Sequence, residues 1–184
     1  TIDENPDGSE ENNNEYFGGE ARSHEWYGYG DFEVRMKPAK KAGTASTFFT
    51  CTGDYDTNLE GEPNPWDEID IEFLGKDTTQ VQFNYYVNGQ GNHEYMYDLG
   101  FDASEEFHNY GFRWAEDYIT WFVDGEPVYR IDFEEDEPAP STAGRILMNY
   151  WCGTETAHEW MGEYSNPGDE GAEYEWVKAT AQVE

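Results

Sequence analysis

Basic residues are scarce in this chain of 184: ten Lys and Arg stand against forty-one Asp and Glu, leaving a formal charge of −31. Nucleic-acid binding by phosphate neutralisation is thereby excluded, because it needs clustered cations to release counterions, and polyanionic partners are disfavoured. Cysteine is almost absent. Cys51 and Cys152 are too few for a disulfide scaffold and lack the spacing of a metal site, and the four histidines (His24, His93, His108 and His158) show no metal spacing either. No run of about eighteen apolar residues exists to cross a bilayer as a helix. Thr1 to Glu15 has no apolar stretch flanked by basic residues of the kind a signal peptide carries.

Aromatic rings are what the chain has in excess. Seven Trp, fourteen Tyr and eleven Phe make up 17% of it, and side chains of that size bury enough area to offset chain entropy despite a hydrophobic fraction of only 36%. The acidic surplus is spread along the whole chain, which marks a solvated surface suited to solubility or high salt rather than a reacting site.

Short alternating segments rich in Tyr, Phe, Val, Ile and Trp recur between Gly, Pro, Asn and Asp punctuation, the pattern of an antiparallel sandwich. Nine strands are expected: Trp26–Met36, Ala45–Thr52, Glu68–Leu74, Gln80–Val87, Tyr110–Trp114, Tyr118–Val123, Pro127–Phe133, Arg145–Tyr150 and Glu173–Ala179. Asn88-Gly89 and Asp124-Gly125 supply residues that tolerate positive φ between flanking strands, a hairpin signal. No helical periodicity lasts longer than a turn or two. Residues 1–15 read as a polar N-terminal arm and 16–184 as a single all-β domain.

Within Trp66-Asp67-Glu68-Ile69-Asp70-Ile71-Glu72-Phe73 the acids at 68, 70 and 72 alternate with apolar residues. On a strand, alternate side chains share a face, so Glu68, Asp70 and Glu72 line one face while Ile69, Ile71 and Phe73 enter the core. Neighbours on that face are about 6.6 Å apart, and three ionised carboxylates at that spacing repel unless some hold a proton. A water-facing strand and a divalent-cation site are the bland alternatives, although one straight strand wraps a cation poorly. The functional reading is a pair of carboxyl groups acting on a glycosidic bond. Retaining glycosidases place such groups about 5–5.5 Å apart. Glu68 and Glu72, with Cα atoms roughly 13 Å apart by strand rise, can close much of that gap by leaning together. Asp70, on a shorter stem between them, is placed to hydrogen-bond one of the pair and separate their titrations.

This strand resembles the active-site strand of the bacterial lichenases, the 1,3-1,4-β-glucanases of glycoside hydrolase family sixteen, through Leu74-Gly75-Lys76 and on through Val81-Gln82-Phe83-Asn84-Tyr85-Tyr86. Similarity also lies in Tyr27-Gly28-Tyr29-Gly30, Met36-Lys37-Pro38-Ala39-Lys40, Gly89-Gln90-Gly91-Asn92-His93-Glu94 and Trp121-Phe122-Val123-Asp124-Gly125, so that it spans about Tyr16 to Val177. The resemblance implies a jelly-roll sandwich of two curved antiparallel sheets with an open cleft on the concave face. It implies Glu68 as nucleophile, Glu72 as general acid/base and Asp70 as assisting carboxylate. Glu20, Arg22, Phe49, Trp66, Asn84, Tyr86, Asn149, Trp151 and Trp160 are implied to line glucan subsites. Asn84 and Tyr86 also share a face by their spacing and carry polar tips, whereas Trp114 and Trp121 read as core.

The expected activity is endo-cleavage of mixed-linkage β-glucan by a secreted monomer with no nucleic-acid or membrane partner. Secretion is inferred from the polymeric substrate alone. A non-catalytic β-glucan-binding module and an endo-1,3-β-glucanase are the alternatives. No cofactor is expected for catalysis. A structural calcium ion, held in relatives by backbone oxygens near both termini, is left open. Against the family pattern the domain looks short of N-terminal strands, with only seventeen residues before Gly18. Gly18 stands where the family places one cysteine of its usual disulfide, and Cys51 where an aromatic cleft residue is common. A bridge between Cys51 and Cys152 across the cleft is an open hypothesis.

Overall fold

A computed structural model describes residues 3–4, 16–58, 60–135, 137–164 and 170–181. Its strands are β1 (Asp3–Glu4), β2 (Tyr16–Phe17), β3 (Gly19–Arg22), β4 (Gly30–Lys37), β5 (Thr44–Thr52), β6 (Asp67–Leu74), β7 (Gln80–Tyr86), β8 (Tyr95–Asp98), β9 (His108–Trp114), β10 (Tyr118–Val123), β11 (Glu126–Asp132), β12 (Arg145–Cys152) and β13 (Glu173–Ala181). One short helix, α1 (His158–Met161), follows a single 3-10 turn. The strands form a five-stranded sheet in the order β11-β10-β9-β4-β13 and a six-stranded sheet in the order β3-β12-β5-β6-β7-β8. Every pairing is antiparallel, so the expected all-β sandwich is what the chain forms.

The period-2 pattern decides which side chains enter the core. Phe32, Val34 and Met36 of β4, Tyr110, Phe112 and Trp114 of β9, and Ile119, Trp121 and Val123 of β10 are buried from one sheet. Ile69, Ile71 and Phe73 of β6 meet them from the other, with Val81, Phe83 and Tyr85 of β7. Trp114 and Trp121 are core residues, as the sequence suggests. On the opposite face of the six-stranded sheet, Thr47, Asp70, Gln82 and Asn84 are also buried, outside the main core. Polar side chains become that crowded on an open face when the sheet curves towards it, so this is the concave side.

Several expectations need adjustment. The first long strand begins at Gly30 rather than Trp26, since Tyr27 makes only an isolated bridge to Gly144. Asp124 and Gly125, with φ of 49° and 83°, close the expected two-residue hairpin between Val123 and Glu126. Asn88 and Gly89 also take positive φ, but their turn ends in a single bridge from Val87 to Gln90, and the next strand starts only at Tyr95. His93 explains the detour: it stacks on Tyr85 at 3.9 Å and its Nδ1 lies 2.8 Å from the Tyr85 carbonyl oxygen, drawing the chain back over β7. Within the supposed polar arm, β1 pairs with β2, placing Asp3 opposite Phe17 and Glu4 opposite Tyr16. The remainder of residues 1–15 lies outside the described residues.

The cross-cleft disulfide is overturned. Cys51 stands opposite Arg145 and Cys152 opposite Thr44, at the two ends of the β5–β12 ladder. Seven register positions separate them, which is about 23 Å at the usual strand rise, whereas a disulfide needs Cα atoms within about 7 Å.

Candidate active site

Strand register assembles the site. β5, β6 and β7 pair without a shift, so the alternation of β6 carries straight across its neighbours. One row across the concave face runs Glu20, Asn149, Thr47, Glu72, Gln82. The next runs Arg22, Leu147, Phe49, Asp70, Asn84, and the third Arg145, Cys51, Glu68, Tyr86. Thus Glu20, Arg22, Phe49, Asn84, Tyr86 and Asn149 do fall on the carboxylate face. Glu68, Asp70 and Glu72 line a cleft of about 200 Å³ together with Gln82, Asn84, Tyr86, Glu94 and Trp160.

Each end of the carboxylate row is held by an indole. Trp66 stacks on Tyr86, with centroids 4.9 Å apart and planes 6° apart, and its Nε1–H donates to Glu68 Oε2 at 2.8 Å. The backbone around Trp66 is fixed by Asp67, whose carboxylate accepts N–H bonds from Asn88, Ser141 and Thr142, and by the Gly89 N–H donating to the Trp66 carbonyl at 2.8 Å. At the other end, Gln82 Nε2–H donates to Glu72 Oε2 at 2.7 Å, and Trp160 Nε1–H donates to Gln82 Oε1 at 3.0 Å. Trp160 is delivered by α1, which is seated by the buried Met161. Gly153 is needed beneath it, because a β-carbon there would lie 2.2 Å from Met161 Sδ.

Not every expected binding residue reaches this cleft. Glu20 and Arg22 lie on the edge strand β3, ion-paired to each other at 3.1 Å and exposed. Trp151, in register with Ala45, faces a neighbouring hollow of about 760 Å³ and meets Trp160 at 5.9 Å. Asn149 accepts a hydrogen bond from Thr47 Oγ1 at 2.5 Å.

The electrostatics separate the three acids. Burial, reinforced by the charges of Glu68 and Glu72 and a hydrogen bond with Glu68, holds the Asp70 carboxyl well above the usual range and favours its protonated form. Burial also pushes Glu72 up, and the charges of Glu68 and Glu94 add to this, while the Gln82 hydrogen bond pulls it back; the result is about 7. Tyr86 is pushed up to about 12, first by burial and then by the acidic row, and remains a neutral donor. A buried carboxyl with a raised pKa between two glutamates of different environment is an arrangement for acid–base and nucleophilic work at a single centre. Among the described residues no group of three or more His, Cys, Asp or Glu side chains is arranged to hold a metal ion.

A two-sheet sandwich whose concave face carries this acidic row between aromatic rings defines a β-sandwich glycoside hydrolase. Within that class the chain belongs to glycosyl hydrolases family 16, whose family model matches residues 3–178. It is 53% identical over 163 residues to a β-glucanase of Acetivibrio thermocellus, covering 89% of this chain and 46% of that protein. It is 51% identical over 167 residues to a β-glucanase of Bacillus subtilis strain 168, covering 91% and 64%. The chain therefore spans about half to two thirds of the length of these two relatives. Among solved structures, the Bacillus licheniformis β-glucanase superposes with a TM-score of 0.81 at 49% identity, covering 89% of this chain and 72% of that one. A β-1,3-1,4-glucanase (lichenase) derived from a mouse hindgut metagenome gives 0.85 at 50% identity, covering 97% and 77%.

Proposed function

We propose that this domain is a retaining endo-β-glucanase that cleaves mixed-linkage 1,3-1,4-β-glucan, acting outside the cell on a polymer too large to enter it. The observation that carries this reading is the row Glu68, Asp70, Glu72 on one concave face, with the outer two held by Trp66 and Gln82 and the middle one buried between them. Glu68 attacks the anomeric carbon as Glu72 gives its proton to the departing glycosidic oxygen. The bond to Glu68 removes the negative charge that helped to hold the Glu72 proton, so Glu72 stays ionised and acts as base: it takes a proton from a water whose oxygen bonds to the anomeric carbon as the bond to Glu68 breaks, freeing the Glu68 carboxylate. Asp70 hydrogen-bonds Glu68 without adding a third charge. Asn84 Oδ1, buried and without a protein partner among the described residues, is available to a sugar hydroxyl. An open cleft admits a polymer without threading its end.

Reducing ends released from lichenan, barley β-glucan and laminarin test the reading. Hydrolysis of the first two with little of the third is expected. Preference for laminarin makes the domain a 1,3-glucanase, and binding without release makes it a binding module.

The competent form carries a proton on Glu72 and none on Glu68, so activity declines as pH rises through an apparent value near 7 that belongs to the coupled acids. Gln82 supplies the one influence pulling Glu72 down. Gln82→Met is therefore expected to move the alkaline limb of kcat/KM upward by roughly half to one pH unit, the equivalent of one hydrogen bond. Trp160→Phe, which leaves the Gln82–Glu72 bond in place, serves as the control in the same pH-rate measurement.

A further inference from the structure

The segment between β5 and β6 carries an aromatic side chain that no reading of the carboxylate strand would find. Tyr55 is 60% exposed, more than any other large hydrophobic residue among those described. Yet it is anchored at its tip: its hydroxyl lies 3.1 Å from Cys51 Sγ. Cys51 shares a row with Glu68 and Arg145 on the cleft face, beside the Glu68 carboxylate, and its thiol donates to the Thr52 carbonyl at 3.7 Å. A thiol has one hydrogen, and with it directed to that carbonyl the Tyr55 hydroxyl donates to sulfur. Burial, with the neighbouring charge of Glu68, pushes the Cys51 thiol up. From β3, the Arg22 guanidinium lies 5.7 Å from the centre of the Tyr55 ring.

The loop that presents this ring is tied to itself and to the sheet. Asp56 N–H donates to the Gly53 carbonyl at 2.9 Å, Asn64 N–H to the Asp56 carbonyl at 3.0 Å, and Thr57 bridges Pro63. Asn64 Nδ2 donates to Thr52 Oγ1 at 2.8 Å, joining the loop to the end of β5. Gly53 lets the ring fold back, since a β-carbon there would lie 2.9 Å from Tyr55 Cε1. Cys51 is shorter than its row neighbours Glu68 and Arg145, and Tyr55 sets its hydroxyl against the sulfur from the loop.

We propose that Tyr55 is a sugar-stacking residue of the cleft, fixed through Cys51 beside Glu68, which extends the glucan-binding surface towards Arg22. This rests on the reading of the domain as a β-glucanase. The chemistry recognised is the apolar C–H face of a pyranose ring, for which an anchored aromatic with one open face is suited. Trp66 and Tyr86 provide such a surface on the β7 side of Glu68, and Tyr55 provides one on the β5 side.

Three measurements test it, with a mixed-linkage gluco-tetrasaccharide and lichenan as probes. In the Glu72→Gln background, Tyr55→Ala is expected to weaken tetrasaccharide binding by calorimetry about tenfold, as loss of one stacking contact would, and Tyr55→Phe to recover most of that loss. In the active enzyme, Tyr55→Ala raises KM for lichenan with kcat changed by less than about threefold, the signature of lost substrate binding. Peptide mapping after thiol labelling shows Cys51 slow to react in the parent, fast in Tyr55→Ala, and protected again by the tetrasaccharide. Unchanged affinity and KM in Tyr55→Ala would overturn the proposal, as would a fall in kcat alone. If the parent neither binds the tetrasaccharide nor cleaves lichenan, the assignment of function fails and this proposal with it.

Discussion

Glu68→Ala is expected to lower kcat/KM on lichenan by about 10³-fold or more, because it removes the group proposed to form the covalent bond while leaving the cleft otherwise intact. Glu68 is only partly buried and its strand is held by Trp66 and Asp67, so the variant should fold. The space it leaves admits a small anion. Added azide is expected to restore turnover and yield the α-glycosyl azide, since attack comes from the face Glu68 occupied. In Glu72→Ala the glycosyl-enzyme still forms on substrates with a good leaving group, and azide then gives the β-glycosyl azide. Product configuration distinguishes the two roles in a way that loss of activity does not. The same azide product from both variants would show that the assignments are wrong.

Trp121→Ala is expected to destabilise the domain by about 3–5 kcal/mol, the usual cost of deleting a buried indole, and to lower Tm by roughly 10 °C for a chain of this size. Trp121 is fully buried and stacks on Phe83 and Tyr129, each at 5.5 Å. It also binds the two sheets at the site itself, since its Nε1–H donates to the Asp70 carbonyl at 3.1 Å. Thermal unfolding followed by circular dichroism measures the loss. A Tm within about 3 °C of the parent would mean that the core behind β6 contributes little.

Most of the strands that the sequence reveals are those with alternating large apolar residues. β4, β6, β7, β9, β10 and β11 bear such a pattern, while β5, β12 and β13 are marked by aromatic and β-branched content between turn residues, and the ends shift by a few residues from those expected. β3 and β8 carry no such signal. Gly19–Arg22 is exposed along its whole length, and Tyr95–Asp98 nearly so, because each is an edge of the six-stranded sheet with little to bury. Sequence reasoning therefore identifies Glu20 and Arg22 only by resemblance and cannot place their strand.

The site divides in the same way. Glu68, Asp70 and Glu72 follow from spacing on one strand, and Asn84 and Tyr86 from spacing on the next. Gln82 obeys the identical alternation, two residues before Asn84, and was accessible to the same argument. Glu94 was not, since it reaches the cleft from an irregular segment whose course is set by His93 packing on Tyr85. Tyr55 is hidden for the same reason: its position depends on loop hydrogen bonds and on a small residue at Cys51, neither of which leaves a periodic trace. The unusual cysteine invites a disulfide reading, but register puts Cys152 at the far end of the ladder and gives Cys51 a tyrosine and a glutamate as neighbours.

The central claim is that Glu68 and Glu72 act in succession on one face of one glucosyl unit, so that two inversions cancel. Proton NMR of the first sugar released from lichenan, recorded before mutarotation, tests this most directly. The account predicts the β anomer at the new reducing end, growing in ahead of the α form. An α anomer appearing first would mean a single displacement by water, and the double-displacement reading of this carboxylate row would be contradicted.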